Sequence, residues 1–132
     1  MSTLRTNSLE GVDAKNSITI VAGAGNITTT NVQEGLSKSW SRTNMSTATN
    51  SDSFNVSSIS DGGTGRFTIN INNDMANANY CATDSADNTT SDTNVSNQIE
   101  GITSSLYEIL HAENGSQVDT TIFSSSVFGD LA

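Results

Sequence analysis

The chain has 132 residues, of which 33% are hydrophobic and 5% aromatic, and 14 acidic against 5 basic side chains give a formal net charge of −9. The basic residues, Arg5, Lys15, Lys38, Arg42 and Arg66, are scattered. Nucleic acid, whose phosphates need clustered Lys and Arg, is thereby excluded as the main partner, and anionic membrane surfaces are disfavoured.

Residues 1–17 are polar, with isolated Leu4, Leu9 and Val12, and read as a leader ahead of a β-rich domain over residues 18–132. Met1 to Glu10 lacks the charged-then-apolar pattern of a signal peptide, and no run reaches transmembrane length. The expectation is synthesis in a cytoplasm, without membrane insertion. Ile18 to Ala22 is a β-branched run closed by the turn signal Gly23-Ala24-Gly25-Asn26. Ile27, Val32 and Leu36, set among threonines, predict a further strand or extended arm. Leu36, Lys38 and Trp40 then alternate with Ser37, Ser39 and Ser41, a strand pattern in which Trp40 is the largest apolar group available for burial. Residues 41–51, rich in Ser, Thr and Asn, read as a loop.

The strongest local signal follows. Phe54 and Val56 alternate, Ile59 shifts the register by one as a β-bulge would, and Asp61-Gly62-Gly63-Thr64-Gly65 turns the chain. Phe67, Ile69 and Ile71 return on one face, with Arg66, Thr68, Asn70 and Asn72 on the other, which predicts a hairpin. Asn73 to Asn79 is a polar connection with room for one helical turn around Met75, and Tyr80 to Thr83 resumes a strand. Asp84 to Asn94 holds no large apolar residue and reads as an exposed loop. Val95, Ile99 and Ile102 stand at mixed spacing. Leu106, Ile109 and Leu110 fit a helical face, but the hairpin dipeptide Asn114-Gly115 favours a strand over 105–112, with strand-like residues again over 118–128. No proline interrupts the pattern. The sum, roughly six to eight short strands, predicts an all-β fold: an antiparallel sandwich or jelly-roll-like domain with a short extended N-terminal arm.

Leu, Ile, Val and Phe make up about a fifth of the chain, and Ser, Thr and Asn roughly two-fifths. So small and polar a monomer is short of apolar surface to set against its conformational entropy, so a homo-oligomer whose interface supplies further core is expected.

Residues able to carry chemistry are few. His111 is the only histidine, so any Ser-His-Asp arrangement must use it, with Glu108 or Asp119 to orient it. No Gly-x-Ser-x-Gly elbow is present, and His111 reads as a polar strand residue near a turn. Cys81, the only cysteine, excludes an internal disulfide and a CxxC site. Beside Tyr80 it reads as a buried small apolar residue, with a nucleophile paired to His111 as the alternative. Asp84, Asp87 and Asp92 share a loop, but their spacing fits no calcium-loop pattern. The glycine-rich runs at 23–25 and 62–65 lack a following helix with a phosphate-binding Lys and read as turns. The Asn-x-Ser/Thr triplets at Asn26, Asn44, Asn55, Asn88, Asn94 and Asn114 read as chance products of the composition. No catalytic, cofactor or metal site is predicted.

Four stretches carry a resemblance. Glu34-Gly35-Leu36-Ser37-Lys38-Ser39-Trp40 is followed by the run from Asp52 to Ile69, DSFNVSSISDGGTGRFTI. Ala78-Asn79-Tyr80-Cys81 comes next, and the chain closes on Val127-Phe128-Gly129-Asp130-Leu131-Ala132. In this order they resemble a β-domain of tail-fibre-like and other virion structural proteins of marine tailed bacteriophages. The family's strand runs on after Trp40 with apolar residues, whereas Ser41-Arg42-Thr43 is polar here, so that strand is expected to end early. The resemblance implies a homotrimeric, non-enzymatic subunit on the virion surface, capsid-decorating or fibre-like. Its leader would anchor it to capsid or tail proteins. The alternative is a tail-fibre adhesin whose loops 41–51 and 84–94 contact host surface glycans.

Overall fold

The computed structural model describes residues 19–21, 29–31, 35–87 and 94–132. The chain forms two compact units, Met1–Leu36 and Ser37–Ala132. In the first, β1 (Thr19–Val21) pairs antiparallel with β2 (Thr29–Asn31), with Ile20 opposite Thr30. The expected leader over 1–17 and the turn at 23–26 lie outside the described residues.

The second unit is all-β: two antiparallel sheets packed face to face as a β-sandwich. One sheet is built from β3 (Ser39–Asn44), β4 (Thr49–Phe54), β7 (Cys81–Ala86) and β11 (Phe123–Phe128), in the order β4-β3-β11-β7. The other, five-stranded, holds β5 (Val56–Asp61), β6 (Arg66–Ile71), β8 (Val95–Glu100), β9 (Leu106–Glu113) and β10 (Ser116–Gln117). There β9 is the hub, pairing β6 on one side and β8 on the other, with β10 returning from the Asn114-Gly115 turn.

The expected hairpin is formed by β5 and β6, and the expected strand over 105–112 is β9. Alternation places Phe67, Ile69 and Ile71 of β6, with Tyr107 and Ile109 of β9, on the buried face. The irregularity in β5 falls between Val56 and Ser58, earlier than Ile59 suggests. The chain leaves one sheet for the other at Asn55, whose φ of 55° is a left-handed conformation that Asn tolerates better than most residues. Its side chain secures the corner: Nδ2 donates to the carbonyls of Lys38 (2.9 Å) and Asn73 (3.1 Å), and Oδ1 accepts from the Asn73 amide (2.7 Å).

Four expectations are corrected. Residues 41–51 are not a loop: β3 runs on to Asn44, turns at Met45 to Ala48, and returns as β4. These polar residues hold strand geometry because their hydroxyls and amides find partners, Ser41 with Ser125 (2.9 Å) and Thr43 with Asn50 (3.3 Å). Around Met75 there is no helical turn; Met75 is buried and bridges Leu131 in an isolated antiparallel pair. Asp84 to Ala86 continue β7, because β11 supplies a ladder partner for each of them; residues 88–93 lie outside the described residues. Finally, Val118 to Ile122 are not strand. They carry the chain from one sheet to the other, the Val118 amide donating to His111 O (3.4 Å) and Met45 N to Thr120 O (2.9 Å).

Candidate functional site

The residues singled out for chemistry are not brought together. His111 lies on β9 with Tyr107, Ile109 and Glu113 on the inward face, and its side chain is fully buried. Its ring meets Phe123 edge-on, with centroids 6.3 Å apart. Nδ1 is 2.7 Å from Asn97 Oδ1, directly across the β8–β9 ladder, and Nε2 is 3.3 Å from Glu113 Oε1. The expected orienting groups are elsewhere. Glu108 is an even-numbered residue of β9, on the opposite face, and Asp119 accepts the Gly65 amide at 2.6 Å. His111 is therefore a polar strand residue near the Asn114-Gly115 turn, as read from the sequence, and its side chain is a core group held by Asn97 and Glu113.

Cys81 is exposed, not buried. It opens β7 opposite Phe128, on the outer face of the sheet, away from the core that holds His111. Asp84 is half-buried and Asp87 exposed, while Asp92 lies outside the described residues. No group of three or more His, Cys, Asp or Glu suited to a metal ion occurs among the described residues. The run 62–65 is a turn, with Gly63 N donating to Asp61 Oδ1 (2.8 Å) and Arg66 N to Gly63 O (2.8 Å). No helix among the described residues is long and apolar enough to cross a membrane.

The surface with binding character is the outer face of the four-stranded sheet. Burial along β3 is reversed from expectation: Ser39, Ser41 and Thr43 point inward, while Trp40 is 37% exposed. Phe54 of β4 stands directly opposite Trp40 and is 54% exposed. On the other side of Trp40 the row continues through Ser126 of β11 to Thr83 of β7, whose hydroxyls lie 2.9 Å apart. A second row runs parallel: Asp52, Arg42, Ser124 and Ser85. In the middle of the sheet, β11 carries the small Ser124 and Ser126 outward, with Phe128 at its far end opposite Cys81. The larger Trp40 and Arg42 stand beside those serines as a wall, leaving an open groove of about 430 Å³. Sequence reasoning placed Trp40 in the core because it is the largest apolar side chain. The signal against that was Arg42 two residues on, which must share its face.

Comparison with protein-family models, with curated proteins and with solved structures finds no match to the chain.

Proposed function

We propose that the chain is a non-enzymatic surface subunit of a tailed-bacteriophage particle, assembled as a closed homo-oligomer, a trimer, and anchored through its N-terminal residues. The observation that carries the non-enzymatic part is the contrast between the two candidate regions. The sole histidine is enclosed in the sandwich, while the exposed chemistry is a sheet face of aromatic and hydroxyl groups, suited to contact rather than turnover. The placement on a phage particle is supported by the resemblance of the Asp52 to Ile69 run. In this fold that run spans the end of β4, the Asn55 corner, β5 and most of β6, where it joins the two sheets.

Two measurements test the reading. Light scattering on the full chain, and on a version lacking residues 1–17, is expected to give a trimer mass for both. A monomer at all concentrations would remove the oligomer. Mass spectrometry of purified particles from cells making the chain is expected to find it in many copies, and its absence would remove the virion assignment. The exposed Trp40 and Phe54 favour a second reading within the same setting, a fibre module that touches the host envelope.

A further inference from the structure

The geometry points to a neutral polysaccharide as the ligand of the groove beside Trp40, with a sugar ring stacked on the indole and its hydroxyls held by Ser124, Ser126, Thr83 and Arg42. This deepens the surface-subunit reading and rests on it. A pyranose presents C–H groups on its faces and hydroxyls around its rim. It needs a flat aromatic surface, whose negative π-face attracts those C–H groups, with donors and acceptors at the ring edge. The outer face of the four-stranded sheet offers both at ladder spacing. Trp40 lies directly beside Ser126, and Arg42 directly beside Ser124. Strands about 4.8 Å apart thus set the indole and the hydroxyls within the width of one sugar ring. The groove, about 430 Å³, falls within the size of small-ligand clefts.

Charge selects a neutral polymer. The chain carries −9 overall and repels polyanions. The local cation, Arg42, is directly opposite Asp52 in the β3–β4 ladder, so the row has no net charge to offer an acidic sugar. Composition argues against a second copy of the chain as occupant. Protein interface cores are depleted in Ser, and burying this groove dry would strip water from the serine hydroxyls along its floor, whereas a glycan replaces that water with its own hydroxyls.

The test uses the full chain in native gels containing a soluble β-glucan, a mannan, a galactan or, as the acidic contrast, polygalacturonate. Emission from Trp40, the only tryptophan, is followed with oligosaccharides of the same neutral polymers. The expected result is retardation by at least one neutral polymer, with a change in Trp40 emission on binding. Trp40→Ala is expected to weaken binding roughly tenfold or more, with an unchanged circular dichroism spectrum. Ser126→Gln, which fills the groove floor and leaves the indole in place, serves as the second variant and is expected to weaken binding as well. Retardation by no neutral polymer, retardation by polygalacturonate alone, or binding that survives both variants would overturn the inference. So would an oligomer that Trp40→Ala turns into a folded monomer, which would make this face a copy-to-copy interface. A chain found on particles that ignores every neutral polymer sinks only this inference. A chain absent from particles that still binds one sinks only the virion assignment.

Discussion

The two sheets fill the space between them by different means. The five-stranded sheet contributes Phe67, Ile69, Ile71, Tyr107 and Ile109, a mainly apolar layer that turns polar at His111 and Glu113 toward the end of β9. The four-stranded sheet contributes Phe123 and Val127, but beside them it buries Ser39, Ser41, Thr43 and Ser125. These hydroxyls are not orphaned. Tyr107 Oη lies 2.8 Å from Ser125 Oγ, Ser125 2.9 Å from Ser41, and Thr43 reaches both Ser41 (3.5 Å) and Asn50 (3.3 Å). A buried hydroxyl with a partner contributes modestly, about 0.5–1.5 kcal/mol per bond, whereas one without a partner costs about 1–3 kcal/mol. A chain poor in aliphatic residues can thus close a core within residues 37–132, provided one layer supplies the apolar area and the other satisfies its own polar groups.

The largest test of that contrast removes the apolar anchor of the hydroxyl-rich sheet. Phe123 packs edge-on against Phe67 at 5.4 Å and against His111. Phe123→Ala is expected to lose about 3–5 kcal/mol in urea unfolding. A loss under about 1 kcal/mol would mean the sheets are held together elsewhere.

Backbone clearance comes next. A Cβ at Gly65, where φ is +69°, would lie 2.5 Å from His111 O and 2.9 Å from Val118 N, both backbone atoms. At Gly115, with φ +79°, it would meet nothing. Gly115→Ala should therefore cost about 1 kcal/mol for conformation alone, and Gly65→Ala clearly more, about 2–4 kcal/mol. Equal losses in thermal or urea unfolding would count against the tight junction of β6, β9 and the segment after β10.

The hydroxyl chain is probed more finely. Tyr107→Phe is expected to cost about 1–2 kcal/mol, because Ser125 loses a buried partner. In a double-mutant cycle, Ser41→Ala with Ser125→Ala should cost less than the sum of the single changes, by about 0.5–1.5 kcal/mol. Strict additivity would show that the two hydroxyls do not act together.

The smallest effect is confined to alkaline solution. Burial first, and the neighbouring Tyr107 second, push the Tyr80 hydroxyl from 10.0 up to about 12, and burial likewise raises Tyr107 against the opposing hydrogen bonds from Ser125 and Ser41. A phenol whose folded pKa lies above its unfolded value favours the folded state fully below the unfolded value. That contribution is lost as pH rises through the folded one. Stability is accordingly expected to hold up to about pH 10 and to fall between about 10 and 12, with a flatter decline in Tyr80→Phe. Tyrosinate absorbance that rises with an ordinary midpoint in the folded protein would contradict it.

Alternation in the sequence alone determined the β5–β6 hairpin and, summed along the chain, the all-β class, whereas the strand expected over 105–112 rested on the Asn114-Gly115 turn that follows it. In β6 the apolar residues Phe67, Ile69 and Ile71 recur every second position with polar ones between, and only one face can be buried. The turn at 61–65 was equally legible, since glycines there supply positive φ at Gly63 and Gly65. The 39–54 hairpin was not, because its inward residues are Ser and Thr, whose presence on a strand looks like loop composition until their partners are known. For the same reason the sequence misplaced Trp40, and with it the groove. Size argued for burying the indole, but the tertiary structure buried the opposite face. Ser125 and Tyr107 there offer Ser41 a closed chain of hydroxyls, and Arg42 on the tryptophan side could not be enclosed without a partner.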